Sequence, residues 1–429
     1  MKKINCDVVV VGAGPGGSMA AKTCAKCGLD TVLVERKEWP GKHTVTHRGV
    51  VKTIFNYVKI DERYFEPVPL LRFVEFAPDG TEISATEPPG YEGGYVVNRK
   101  NFDKEILKLA LKEGPEYLNK TRATGLIRED GQIKGVKAKI DEREDVEIIS
   151  NIVIGADGVE SKVGRWAGIY ERGYGLDDDL SPLFDAVLED VNIKDEYKYA
   201  HCHVSGIPPN IGDWGFSPMG DKKVAITLDP LRCSPPTKIK KCDFINLLNY
   251  FIKNNPIFSG GKIVETGYGV EAFRLLKTFI ADRVMLVGDA AHQINNPHKA
   301  GILNSMEAGE MAGETAVEAH DEGDYSSNIL SKYEKRWYRL HGESDLIGLL
   351  WLRLLSTMSD ERINTFHHAI KENNYIFNDK IFKIFLGSPK FTSKLIYEFK
   401  DRGLNINDAF SLFSLFKKHH KVYWDVYFQ

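Results

Sequence analysis

The sequence predicts an α/β protein that opens with a Rossmann-type unit. A β-branched run, Val8 to Val11, passes straight into the turn Gly12-Ala13-Gly14-Pro15-Gly16-Gly17. An alanine-rich segment from Ser18 to Lys26 follows, then Gly28 and a second β-branched run, Thr31 to Val34. Continuous apolar runs of this kind suit strands covered on both faces, as in a parallel sheet. Alanine-rich sequence between two such strands, closed by a glycine, reads as the crossover helix.

Each glycine of the turn has a task. Gly12 permits the tight turn, Gly14 lets the backbone approach a pyrophosphate, and Gly17 lets the helix pack close to the strand, with Pro15 and Gly16 between them. The helix N-terminus then faces the phosphates. Glu35 closes the second strand and is placed to bind ribose hydroxyls, which favours FAD or NAD over NADP. Arg36, next in sequence, is assigned to the same site. Cys24 and Cys27 form a C-x-x-C on one helical face, but with no second pair at metal spacing they read as small buried hydrophobes.

Composition bounds the function. With 57 basic and 60 acidic residues there is no general basic field to gather nucleic acid. The six cysteines are scattered without a framework, and MKKINCDVVVVG reads as a strand rather than a signal peptide, so a cytoplasmic setting is expected. The most apolar stretch, Leu346 to Leu355, contains Arg353 and is shorter than the roughly 20 residues needed to span a bilayer.

Three later segments carry chemistry. Ile152 to Ile154 ends in Gly155-Ala156-Asp157-Gly158, followed by Ser161 and Arg165. Asp282 to Val287 reads as a strand ending in Gly288-Asp289-Ala290-Ala291-His292, with a small-residue helix expected from about Gly301 through Gly313. Arg99-Lys100-Asn101-Phe102-Asp103 opens an apolar-periodic helix.

The glycine turn, the Gly-Ala-Asp-Gly and the Val-Gly-Asp-Ala-Ala-His together resemble flavoproteins of the p-hydroxybenzoate hydroxylase fold. The resemblance implies bound FAD, with Asp157 in its site. It also implies that the Asp289 carboxylate, after Gly288, meets the ribityl chain, and that the Gly301 and Ile302 amides face the flavin pyrimidine. Partial positive charge at a helix N-terminus would stabilise the anion of a reduced flavin there. Arg99 resembles the arginine of the family's R-x-x-F-D element and is expected to contact the flavin.

Within that fold the chain is similar to the geranylgeranyl reductase family, which saturates isoprenoid double bonds. The resemblance rests on Ala300-Gly301-Ile302, Ser305 to Gly309, Ala312-Gly313, the Trp214 to Asp221 segment and Ser359-Asp360-Glu361. It departs where Pro40 to Gly49 lacks the family's cysteine and where Lys299-Ala300-Gly301 replaces a Gly-Gly. The implied architecture is a glutathione reductase-like FAD domain of the p-hydroxybenzoate hydroxylase type, interleaved with an α+β substrate domain and followed by a helical C-terminal region. The FAD domain takes residues 1–60, 99–170 and 281–325, the substrate domain 61–98 and 171–280, and the helical region 326–429.

The expected activity is reduction of C=C bonds in a geranylgeranyl-type lipid. A flavin monooxygenase of a small aromatic molecule and an electron-transfer flavoprotein serving a membrane carrier are the alternatives. Alkene reduction needs an acid beside the flavin. His43, His47, His292 and His298 are candidates, and His47 and His298 are preferred. Trp214 and Phe216 are candidates to line a prenyl tunnel, the other reading being plain core. His201 and His203 share a strand face without a third ligand, so no metal site is expected. The chain has no second G-x-G-x-x-G, so NAD(P)H binding without its own Rossmann unit or a ferredoxin-like protein is expected as the electron donor. A monomer or homodimer is expected. Phe410 to Lys421, aromatic beside lysine and histidine, suggests peripheral membrane contact or a packed helix.

Overall fold

In the computed structural model the described residues are 2–41, 47–51, 54, 68–70, 72–86, 94–170, 180–194, 200–205, 213–220, 222–229, 241–272, 275–294, 301–355 and 359–372. The chain opens with β1 (Lys2–Val11), α1 (Pro15–Lys26) and β2 (Thr31–Val34). Strands β3 (His47–Val51), β4 (Val68–Leu70), β5 (Arg72–Phe76), β6 (Glu82–Thr86) and β7 (Gly94–Asn98) precede α2 (Arg99–Leu111). Next come β8 (Glu116–Leu118), β9 (Thr121–Glu129), β10 (Gln132–Ile140), β11 (Glu144–Gly155) and α3 (Lys162–Ala167). Strands β12 (Leu180–Glu189), β13 (Ala200–Ser205), β14 (Asp213–Pro218) and β15 (Val224–Asp229) lead to α4 (Lys241–Asn254) and β16 (Lys262–Ala272). The short strands β17 (Ile280–Ala281) and β18 (Val284–Leu286) are followed by α5 (Ile302–Glu322), α6 (Ser327–Leu355) and α7 (Asp360–Glu372).

The first sheet runs β17-β18-β11-β1-β2-β8. β1 lies parallel to β2 and to β11, with Val10 opposite both Leu33 and Ile154, and β11 lies parallel to β18. Val8 to Val10 and Val32 to Val34 are buried, as a strand covered on both faces requires. This is the expected α/β arrangement. α1 begins at Pro15, three residues before the expected Ser18, because proline at the first turn loses an N–H that has no helical partner there.

α5 runs well beyond Gly313, to Glu322. Gly313 does not end the helix but packs against α1, where a Cβ would lie 2.7 Å from the Thr23 Cβ. Gly323, at φ +66°, ends it instead. Gly309 makes the same kind of approach, a Cβ there falling 2.1 Å from the Gly16 carbonyl oxygen. The α1–α5 contact is therefore made backbone to backbone.

The second sheet runs β16-β12-β15-β14-β13-β5-β6. Period-2 alternation gives it one apolar face. Phe184, Ala186, Leu188, Trp214, Phe216, Ile226 and Leu228 pack there on Phe244, Leu248 and Phe251 of α4 and on Phe258. Trp214 stacks on Phe251 at 4.2 Å, and Phe216 meets Phe258 edge to face at 4.9 Å. The suggested tunnel role of Trp214 and Phe216 is corrected accordingly. Both rings are filled core with no free surface, and it is Gly215, between them, that takes the other face.

A third sheet, β3-β7-β4, pairs His47 with Asn98, the residue whose side chain caps α2 by accepting from the Lys100 and Asn101 amides. α7 is tied to the β5–β6 hairpin, His368 meeting Asp79 at 2.8 Å and His367 meeting Glu75 at 3.6 Å. Phe410 to Lys421 lies outside the described residues.

Candidate active site

A cleft of about 270 Å³ opens at the carboxyl ends of β1, β2 and β11, where the strand order of an α/β sheet leaves room for a ligand. The glycine turn forms one wall. Gly12 sits at φ +105° with a would-be Cβ 2.2 Å from the Ala156 oxygen, and a Cβ on Gly17 would fall 1.8 Å from the Gly12 oxygen. Neither place admits a side chain. A Cβ on Gly14 would meet nothing within 4 Å, so the backbone there is bare toward the cleft. Pro15 and Gly16 complete this wall.

Glu35 and Arg36 line the far end. The Ala13 N–H donates to Glu35 Oε2 at 3.0 Å and the Lys37 N–H to Oε1 at 2.9 Å, so the carboxylate is pinned by backbone before any ligand arrives. Asp157 lies on the opposite side. It accepts from the Val163 N–H at 3.0 Å through Oδ2, while its Oδ1 is buried with no hydrogen-bond partner. Burial, more than any other cause, raises its pKa above the ordinary carboxylate value.

Arg99 enters from the start of α2 and forms a two-pronged pair with Asp103, Nε to Oδ1 at 3.0 Å and Nη2 to Oδ2 at 3.1 Å. Burial draws the guanidinium pKa down. Asp103, with Asp289 and Asp185 behind it, outweighs this and holds the pKa above its ordinary value. Asp103, the acid of the helix-opening Arg99 to Asp103 segment, also lines the cleft.

The third wall comes from the turn after β18 and the start of α5. Gly288, at φ +64°, packs so tightly on Ser305 that a Cβ would lie 2.8 Å from its Oγ. Its N–H donates to Gln293 Oε1 at 2.8 Å, Gln293 Nε2 donates to the Tyr333 hydroxyl at 2.8 Å, and that hydroxyl donates to the Leu286 carbonyl at 3.0 Å. This buried chain holds the turn from which exposed Asp289 projects into the cleft. Gly301 caps α5, and a Cβ on it would lie 3.4 Å from Asp289 Oδ1, so Asp289 stands beside the N-terminus at Ile302.

Of the histidines, His292 is buried edge to face against Tyr170 and is not a cleft-lining residue. His43 and His298 lie outside the described residues, and of His47 only the backbone pairing with Asn98 is described. Among the described residues no group of three His, Cys, Asp or Glu could hold a metal. Sequence reasoning missed Arg122, Lys162 and Trp166, which also line the cleft and belong to no motif.

A bare glycine backbone at a helix N-terminus, a pinned acid at the second strand and a buried carboxylate oxygen awaiting a donor all fit the pyrophosphate and hydroxyls of FAD. Fold and cleft define a flavin-dependent oxidoreductase, and the family model described as FAD binding domain matches residues 5–307. FAD is the cofactor. The chain belongs to the digeranylgeranylglycerophospholipid reductase family. It is 37% identical to the enzyme of that name from Methanothrix thermoacetophila, over 86% of this chain and 93% of that one. It is 36% identical to digeranylgeranylglycerophospholipid reductase 2 of Methanococcoides burtonii, over 87% and 90%. Among solved structures, a geranylgeranyl bacteriochlorophyll reductase-like protein from Thermoplasma acidophilum superposes with a TM-score of 0.80 at 27% identity, covering 93% of this chain and all of that one. The flavin-dependent brominase Bmp2, at TM-score 0.67 and 14% identity, shares the fold alone.

Proposed function

We propose that the chain reduces the C=C bonds of geranylgeranyl chains carried by a glycerophospholipid, using FAD. The observation that carries the reading is the assembly of the glycine turn, Glu35, Arg99, Ala156-Asp157-Gly158 and Gly288-Asp289 around one cleft, in a chain that aligns over 86% of its length with a relative named for that reaction. Bound FAD supplies a hydride at one face of its ring once it is reduced.

The chain's residues divide the remaining work. Gly12, Gly14, Pro15, Gly16 and Gly17 receive the pyrophosphate, and Glu35 with Arg36 takes the adenosine end. Asp157 satisfies its buried oxygen on a cofactor hydroxyl. Gly288 shapes the turn that aims Asp289 at the ribityl chain, and the amides at Gly301 and Ile302 place positive potential at the pyrimidine. Arg99, locked by Asp103, bounds the ring. His47, at the start of β3, and His298, outside the described residues, are the sequence's candidates for the acid that alkene reduction needs. The reductant is NAD(P)H or a ferredoxin-like protein, and a monomer or homodimer meets its lipid at a membrane surface. Among the described residues no helix is long and apolar enough to cross a membrane.

The test is anaerobic. Dithionite-reduced protein is mixed with a geranylgeranyl glycerophospholipid, and flavin reoxidation is followed together with product mass. Reoxidation with a gain of two hydrogens per double bond is expected, and no reoxidation before oxygen is admitted would overturn the reading. Asp289→Ala should lower FAD affinity while leaving the fold intact, and unchanged affinity would remove Asp289 from the site.

A further inference from the structure

The second sheet turns two unlike faces outward. Its apolar face is buried on α4. Residues of opposite parity lie on the other face, and the register aligns Gly215 with Thr227, Thr227 with Asp185, and Asp185 with Gly267 across β14, β15, β12 and β16. Two polar residues are thus flanked by glycines. Gly269, two residues along β16 and on the same face, has room around it, a Cβ there meeting only the Leu183 Cβ at 3.9 Å.

This face looks toward the cofactor cleft. Glu265, opposite Val187 and so on the same face as Asp185, bonds Lys100 Nζ at 3.2 Å, and Lys100 is the neighbour of Arg99 at the start of α2. Asp185 itself lies within electrostatic reach of the Arg99 guanidinium. It is only 2% exposed, and the Thr227 hydroxyl donates to its Oδ1. A buried carboxyl, flanked in register by glycines on the face that meets the start of α2, thus stands close to the arginine that bounds the flavin cleft.

We propose that Asp185, held by Thr227, is the proton donor of the reduction. This rests on the reductase reading. The step adds a hydride from the reduced flavin to one alkene carbon and the Asp185 carboxyl proton to the other, breaking the π bond. The flavin leaves the step oxidised by two electrons, and the Asp185 carboxylate recovers its proton from water. Among the described residues Arg99, with Asp103 and Asp289 around it, lies within electrostatic reach of Asp185, and Glu265, paired with Lys100, and Glu271, opposite Ser181, stand on the same face of the sheet.

The experiment uses FAD-loaded wild type, Asp185→Asn and Thr227→Val, each reduced with dithionite and mixed anaerobically with a geranylgeranyl glycerophospholipid in micelles. Asp185→Asn should slow single-turnover reoxidation by at least about 100-fold, the scale of a lost general acid, with FAD affinity within about twofold of wild type. Thr227→Val should fold, reoxidise at an intermediate rate and shift the pH profile of that rate. Infrared difference spectra across pH should show a protonated-carboxyl stretch in wild type that Asp185→Asn lacks. Wild-type reoxidation rates in Asp185→Asn, or a loss confined to FAD affinity, would overturn the proposal. Should wild type itself fail to be reoxidised by lipid, the reductase reading falls. The infrared band then decides Asp185 separately, since its absence shows a carboxyl with no proton to give.

Discussion

Two glycine-to-alanine substitutions should fail in opposite ways. At Gly309 a methyl would lie 2.1 Å from the Gly16 carbonyl oxygen, on the far side of the α1–α5 contact. Non-bonded heavy atoms settle near 3.5 Å, so the two helices would have to part by about 1.4 Å. Overpacking of this kind costs about 1–3 kcal/mol, and in a chain of this size that lowers the melting temperature of the apoprotein by about 1–3 °C. At Gly14 a methyl meets nothing within 4 Å and φ is −63°, so the fold should tolerate it within about 0.5 kcal/mol. The same methyl stands on the wall of the cleft, where the pyrophosphate approaches the backbone, and FAD affinity should fall by about 100-fold, or roughly 2.7 kcal/mol. Thermal melts of the apoproteins and FAD titrations followed by flavin fluorescence separate the two effects. A Gly309→Ala protein that melts with wild type, or a Gly14→Ala protein that loses stability while keeping its affinity, would refute the packing argument.

Three other outcomes follow from buried or tethered groups. Asp103→Asn removes one partner of a buried two-pronged pair and leaves the Arg99 guanidinium without its main counter-charge, so urea unfolding should show a loss of about 3 kcal/mol; a loss under 1 kcal/mol would mean that the pair is not desolvated. Burial pushes the Cys24 thiol up to about 12, while Cys27 is exposed. Iodoacetamide near pH 8 should therefore label Cys27 in the folded protein and Cys24 only after unfolding, and equal labelling would contradict the packing of α1. The Thr81 N–H foremost, and then His368, hold the Asp79 carboxyl down at about 2. A depressed carboxylate stabilises above its unfolded value near 4, and that contribution is lost as pH falls from about 4 toward 2. Amide exchange in residues 360–372 should accelerate in that window, and Asp79→Asn should abolish the pH step.

The cofactor end of this protein was legible because its backbone is functional. At Gly12 and Gly17 no residue with a Cβ can stand, so the geometry is written directly into composition. The Val8 to Val11 run likewise announced a strand covered on both faces. Elsewhere the chemistry depends on parity and on distant partners. Trp214-Gly215-Phe216 drew attention to its aromatic rings, yet alternation sends those rings into the core and leaves the inconspicuous glycine on the other face. Asp185 stands inside Leu183-Phe184-Asp185-Ala186-Val187-Leu188 and matches no motif. Only strand register puts it beside Thr227, and only the docking of α2 brings Arg99 toward it. Asp103 was visible as a helix-start charge, but its grip on Arg99 required the first turn of α2 to be built. Gly313 misled because a glycine that lets two helices touch looks, in sequence, like one that stops a helix.

The backbone contact between α1 and α5 has a consequence for the order of events during synthesis. α1 leaves the ribosome among the first elements, whereas β18, the Gly288 turn and α5 emerge only after the whole second sheet has been made. Until then the phosphate-binding turn lacks its third wall, and the hollow along Gly16 and Ala20 stands uncovered. A nascent or truncated chain ending before residue 302 should display an intact fingerprint yet hold no flavin, and it would offer chaperones an apolar groove where the finished protein has a helix. Cofactor capture therefore reports that α1 and α5 have met.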